Sequence, residues 1–295
     1  MSYGGSTMQE ALRTLGALTA LSLAALVGCG SPQGSVTTRT DGAIIGGADV
    51  TNAQPFANTV VSLVNTAQGS ICTASILSSS ILVTAAHCVD GDASDLVVVI
   101  NRSIDETTLV TRQVTHFKTS PVWAARQSEP LNNGDIAVVR FEGGLAPGFA
   151  PVKMLTDVSI LADGGSVTLA GYGNDDGAAG TGAGKLRWVE TTLKKVAYTK
   201  SELLVEQSKG KGACHGDSGG PAYTKVNGDY ILIGVTSRGV DDLKNDCSVS
   251  AAYTSVPYYS AWSVRTAKAL NTAAKKKPTP ATPVAPAARA VAAAS

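Results

Sequence analysis

Aromatic side chains are scarce in this 295-residue sequence, at 5% of positions. No charge of one sign dominates either: 24 Lys and Arg stand against 23 Asp and Glu, for a net charge of +1. Such a sign-mixed chain has no electrostatic footprint for nucleic acid or for an acidic surface, and neither is expected as a partner. No long amphipathic helical pattern interrupts the sequence before about Pro257–Ala274, which argues against a helical bundle. The apolar run Leu15–Val27 is roughly 13 residues long, too short to span a bilayer easily and suited to a signal-peptide core.

What is present fits an all-β chain. Hydrophobic residues make up 44% of positions, enough for one substantial core or two small barrels packed together. The 31 glycines suit many short strands joined by turns. Alternating or β-branched runs occur at Thr59–Val64, Ser80–Val83, Leu96–Ile100, Ile136–Phe141, Ser166–Ala170, Leu186–Leu193 and Tyr230–Val235. Turn signals such as Asp163-Gly164-Gly165 and Asn227-Gly228-Asp229 fall between them.

Three short motifs carry chemistry. Gly216-Asp217-Ser218-Gly219-Gly220-Pro221 sets a serine among glycines, where a tight turn exposes its hydroxyl and aims neighbouring N–H groups at one point. A serine hydroxyl is a poor nucleophile unless an adjacent imidazole takes its proton, and that imidazole needs a buried acid to fix its tautomer. Thr84-Ala85-Ala86-His87-Cys88 and Asn133-Gly134-Asp135-Ile136-Ala137-Val138 supply both. Asp135 precedes an apolar strand that buries its carboxylate, so it needs a specific partner, and His87 is the obvious one. Of the other histidines, His116 has no motif around it, and His215 is expected to line the substrate cleft without doing chemistry.

The order His87, Asp135, Ser218 resembles that of chymotrypsin-like proteases, not of subtilisins or α/β-hydrolases. With Ile44-Ile45-Gly46-Gly47, similar to the new N-terminus of an activated member, the chain resembles a trypsin/chymotrypsin-family serine endopeptidase from about Ile44 to about Ala274. The resemblance implies two antiparallel six-stranded β-barrels, a C-terminal helix, and the triad in the cleft between the barrels. It implies that Gly216 and Ser218 supply the oxyanion-hole N–H groups, that Ser237 supports Asp135, and that Ile44 pairs with Asp217 after activation. It pairs Cys72 with Cys88 and Cys214 with Cys247, bridges that belong to an oxidising compartment. The specificity pocket falls on Gly212, Ser237, Gly239 and Ala251, without the aspartate that gives trypsin-like members their basic preference. An uncharged pocket favours an apolar or mid-sized P1 side chain.

Four features depart from the family pattern. Arg238 stands where a tryptophan usually forms a subsite wall. Val240–Asp246 is a longer, acidic loop from which Asp241 or Asp242 could reach the cleft. Thr73-Ala74-Ser75 replaces a glycine-containing run, and Ala43 precedes Ile44 where a basic residue is usual.

The ends of the chain have their own character. Leu26-Val27-Gly28-Cys29 resembles a bacterial lipobox, with Cys29 acylated after removal of residues 1–28 and residues 29–43 forming a pro-segment and tether. Residues 275–295, with three lysines and then a Pro- and Ala-rich run, read as a disordered tail. The expectation is an exported, monomeric serine endopeptidase of the bacterial cell envelope, held by lipid on Cys29 before activation. It acts on protein or peptide substrates and calls for no metal or other cofactor. The rival is a catalytically silent homologue serving as a binding or adhesive module. An esterase fits less well, because Gly-Asp-Ser-Gly-Gly is not a Gly-x-Ser-x-Gly elbow.

Overall fold

The computed structural model describes residues 44–276. The signal segment, Cys29, the tether and the tail beyond the last helix lie outside the described residues.

The strands are β1 (Ala48–Asp49), β2 (Val60–Asn65), β3 (Ser70–Ser78), β4 (Ile81–Thr84), β5 (Leu96–Val99), β6 (Thr111–Thr119), β7 (Ala137–Phe141) and β8 (Lys153–Met154). They continue with β9 (Ser166–Gly171), β10 (Arg187–Lys195), β11 (Glu202–Glu206), β12 (Pro221–Val226), β13 (Asp229–Val240) and β14 (Ser250–Ser255). A short helix α1 (Pro121–Arg126) precedes β7, and α2 (Val256–Lys276) ends the described chain.

Two closed antiparallel barrels of six strands each result. The first runs β2-β3-β4-β7-β6-β5 and closes where β5 pairs back onto β2. The second runs β9-β10-β11-β14-β13-β12 and closes where β12 pairs with β9. Closure leaves no free sheet edge within either ring, which removes the edge as an aggregation template. β1 and β8 attach outside the second ring, on β10 and β13. The expected all-β fold with two six-stranded barrels and a C-terminal helix is the fold observed.

Four of the scarce aromatics meet where the barrels do. Phe56, just before β2, lies 5.8 Å from Trp188, 5.6 Å from Tyr223 and 4.8 Å from Tyr230, all three on strands of the second barrel. The largest core cluster joins Val60, Leu82 and Phe141 of the first barrel to Leu232, Val235 and Tyr259 of the second half. Helix α2 buries Tyr259, Ser263, Thr266 and Leu270, a stripe at three- and four-residue spacing. Its Leu270 packs on Ile81 and Val138, so the helix straps the C-terminal half onto the first barrel. It runs two residues beyond the pattern read from sequence, so Lys275 and Lys276 belong to its last turn.

The strands β3, β6, β11, β12 and β14 carry no strong sequence signal. Ser250–Ser255 is buried along its whole length, yet it is built from Ser, Ala, Thr and one Tyr. Small residues packed on both faces leave neither alternation nor a β-branched run to read.

Candidate active site

His87 sits on a 3-10 turn, Ala86–Val89, directly after β4. The Cys72–Cys88 bridge ties that turn to β3 across a separation of 16 residues. Register then fixes the next partner: Thr84 of β4 pairs with Ala137 of β7, so the residues flanking this rung, His87 and Asp135, meet. The His87 backbone N–H donates to Asp135 Oδ1 at 3.0 Å, and His87 Nδ1 lies 2.8 Å from Asp135 Oδ2.

Asp135 is 2% exposed and receives more than the histidine. Ser237 Oγ donates to Oδ2 at 2.6 Å, Thr254 Oγ1 donates to the Asp135 carbonyl at 2.7 Å, and the Asp135 N–H donates to Asn133 Oδ1 at 3.3 Å. Burial pulls the carboxyl upward, but the hydrogen bonds and charge of His87 and the Ser237 bond outweigh it and hold the group below 3.8. For His87 burial works downward, and the Asp135 hydrogen bond and charge overcome it, raising the imidazole above 6.5. His87 itself opens to the cleft, with the Trp123 ring of α1 at 6.5 Å.

Ser218 comes from the loop between the second barrel's outer turns and β12. Gly216 adopts φ +94, and a Cβ there would lie 2.8 Å from Gly173 Cα, so only glycine fits on both counts. The loop is braced from the first barrel by Thr73, one of the residues that depart from the family pattern. Thr73 N–H donates to the Ser218 carbonyl at 2.8 Å, and Thr73 Oγ1 donates to the Gly216 carbonyl at 2.9 Å. From the other side, Gly219 N–H donates to the Thr236 carbonyl at 2.8 Å. Among the described residues, the N–H groups of Gly216 and Ser218 have no acceptor. Two pinned, unspent donors beside a serine are what an acyl-transfer oxyanion needs. Ser218 Oγ makes no hydrogen bond to His87 here, a separation that unliganded sites of this chemistry commonly show.

Asp217 points inward. Its carboxylate accepts Gly173 N–H and Cys214 N–H, each at 2.8 Å, and is fully buried. Burial pushes it up to about 7, with those two bonds and the more distant Arg187 pulling the other way. No Lys or Arg side chain lies within ion-pair distance of it among the described residues.

Beside Ser218 lies a cavity of about 270 Å³, bounded by the Cys214–Cys247 bridge, Ser237, Gly239 and Ala251. Gly212 is not on its wall. The Gln207 side chain packs against Gly212 Cα, its Cδ only 2.3 Å from where a Cβ would stand, and the Gln207 amide faces the cavity instead. Gln207 Oε1 accepts Ala213 N–H at 2.9 Å and Nε2 donates to the Cys247 carbonyl at 2.8 Å, which locks the amide in place. Asp242, rather than Asp241, reaches the wall, its oxygens held by the N–H groups of Asp246 and Cys247. His215 lines the rim, while His116 lies on β6. The cysteine clusters around His87 and His215 are the two disulfides, whose sulfurs are spent on each other.

A closed double barrel with serine, histidine and aspartate at its seam defines the class of protein. The Trypsin family profile matches residues 44–263. The chain belongs to the trypsin family of serine endopeptidases, hydrolases acting on protein substrates. It is similar to trypsin delta of Drosophila erecta, 28% identical over 252 residues that cover 80% of this chain and 92% of that protein. Brachyurin of Leptuca pugilator is 32% identical over 204 residues, covering 65% and 85%, and trypsin alpha of Drosophila melanogaster is 28% identical over 255, covering 81% and 93%.

The buried Asp217 gives the chain a pH signature. Its folded value of about 7 lies above the ordinary 3.8, so the stability it contributes is full below 3.8 and is lost as pH rises through about 7. In a Ser218→Ala background, Asp217→Asn cannot ionise. Denaturant titrations should therefore show wild-type stability falling relative to the variant between about pH 4 and pH 8, by an amount on the order of a few kcal/mol. A flat difference across that range contradicts the assignment.

Proposed function

We propose that this endopeptidase works through a Ser218–His87–Asp135 triad and an acyl-enzyme. The observation that carries the reading is the grip of a buried Asp135 on both the backbone N–H and Nδ1 of His87. With Nδ1 engaged, Nε2 is the nitrogen left to accept a proton. Ser218 Oγ gives its proton to Nε2 as it bonds to the scissile carbonyl carbon, and the carbonyl oxygen becomes an oxyanion facing Gly216 and Ser218 N–H. Collapse breaks the C–N bond, the leaving amine takes the proton from the imidazolium, and water repeats the sequence to free the acid and Ser218.

The cavity beside Ser218 supports a P1 side chain that is apolar or mid-sized. Its wall offers Ala213, Ala251 and the locked Gln207 amide, and its one carboxylate, Asp242, is already bonded to two backbone N–H groups. A cation there loses hydration without a free countercharge at the base.

Activation by cleavage between Ala43 and Ile44 is supported by three features. Ile44 is a β-branched residue held at φ +59, a strained conformation next to the proposed cut. Its side chain is already buried in the second barrel's core, and Gly212 N–H donates to the Ile45 carbonyl at 3.1 Å. Asp217 is buried with no Lys or Arg side chain within ion-pair distance among the described residues, and a new α-amino group on Ile44 would supply a cation. If Cys29 carries lipid, the same cut releases the enzyme, since no cysteine in residues 30–43 could hold it. Two disulfides and the family support an exported protein, and the proposed triad chemistry calls for no metal or other cofactor. N-terminal sequencing of fractionated cells is expected to find soluble active enzyme beginning at Ile44. Full activity in a membrane-bound form retaining residues 30–43 contradicts this.

Ser218→Ala and His87→Ala should each lower kcat by several orders of magnitude in folded protein. Because His87 must be neutral to take the proton and its value is raised, kcat/KM should fall as pH drops through an apparent pKa above 6.5. On a peptide panel, P1 Leu, Met, Phe or Tyr should outperform Arg or Lys, and an Arg/Lys-dominated profile would overturn the pocket reading in favour of Asp242. Failure of Ser218 to react with a fluorophosphonate would favour the silent binding module instead.

A further inference from the structure

We propose that Arg238 and Glu202 form an ionic clasp on the second barrel that grips the 130–132 segment of the first and so positions Asp135, and through it His87, for catalysis. The proposal rests on the triad reading and adds to it a pair of positioning residues that lie outside the triad.

Glu202 opens β11, and its side chain is 1% exposed. Burying a carboxylate that completely is costly without a countercharge and a full set of donors. Arg238 Nη1 supplies the charge, donating to Glu202 Oε1 at 2.7 Å. Oε2 accepts the Asn132 backbone N–H at 3.1 Å and Thr199 Oγ1 at 3.0 Å. The second Arg238 nitrogen, Nη2, donates to the Pro130 carbonyl. Pro130 and Asn132 belong to the segment between α1 and β7 of the first barrel, whereas Glu202 and Arg238 belong to the second. The pair therefore holds the chain that leads into Asp135 against the opposite barrel. Asn132 sits at φ +50, and its Oδ1 accepts both Ser201 N–H, at 3.3 Å, and Ser201 Oγ, at 3.0 Å, from the same side.

Apart from His87, each of the three side chains that bond Asp135 is one step from this clasp. Asn133, which takes the Asp135 N–H, follows Asn132. Thr254, which donates to the Asp135 carbonyl, is the register partner of Glu202. Ser237, which donates to the carboxylate, precedes Arg238, and the register of β13 on β14 shifts between Thr236 and Arg238. Ser237 is the extra residue of that bulge, and a bulge re-aims a side chain. Anchoring Arg238 immediately after it fixes where Ser237 points. A tryptophan at position 238 has no guanidinium to give Glu202, so the arginine and the buried glutamate belong together.

The test uses the activated full chain with Arg238→Met, Glu202→Gln and Arg238→Lys. Steady-state kcat and KM are normalised to sites reacting with a fluorophosphonate, and the His87 Nδ1 proton is followed by NMR. Arg238→Met and Glu202→Gln are expected to lower kcat per site by about tenfold or more with KM changed less, since misplacing a catalytic group costs rate rather than ground-state binding. The Nδ1 proton resonance should move or broaden in both, and Arg238→Lys should recover most of the rate. Unchanged kcat per site and an unchanged resonance overturn the proposal, even where the yield of active enzyme falls, and so does a rise in KM alone. If Arg238→Met does not fold, the near-isosteric Glu202→Gln carries the decision. Full activity in Ser218→Ala would instead remove the triad reading on which the clasp depends.

Discussion

A carboxylate buried at the seam of two barrels organises this molecule. Asp135 stands at the end of the first barrel, yet two of the groups that satisfy it, Ser237 and Thr254, come from the second. Left unpaired, such a charge would cost several kcal/mol, and the barrels must approach in one relative position to prevent it. The same bonds hold His87 at one orientation with its Nε2 free. The arrangement that satisfies the buried charge is thus also the one that orients the imidazole.

The Ser218 loop depends on the seam in the same way. Thr73 of β3 reaches across to the carbonyls of Gly216 and Ser218, and Thr236 of β13 holds Gly219. These bonds spend the loop's carbonyls and leave the Gly216 and Ser218 N–H groups unspent. Packing supports the geometry from a distance, with Phe56 and its ring of three aromatic neighbours filling the interface and α2 strapping its far side. Four of the chain's few aromatic residues stand where its two halves join.

The residues proposed to perform chemistry were legible because such chemistry constrains their neighbours. A glycine-bound serine, a histidine beside a cysteine and an aspartate before an apolar strand each leave a local trace. The supporting residues leave none. Gln207 becomes a pocket wall only when the end of β11 meets the loop before Ser218, and Glu202 becomes a buried acid only when β11 lies against the 130–132 segment. Asp241 and Asp242 are indistinguishable in sequence, and the backbone N–H groups of Asp246 and Cys247 decide which one reaches the pocket. Strands such as β14 were hidden for a related reason: residues small enough to pack on both faces carry no periodic signal.

The Asp135→Asn variant tests the central claim most directly. Asparagine keeps the size and most hydrogen bonds of the site but presents an amide where His87 Nδ1–H needs an acceptor, which favours the wrong tautomer. Measured on folded, activated enzyme at the pH of maximal activity, kcat should fall by about four orders of magnitude while the unfolding midpoint changes little. A variant retaining near-native kcat would show that the buried carboxylate does not prepare His87.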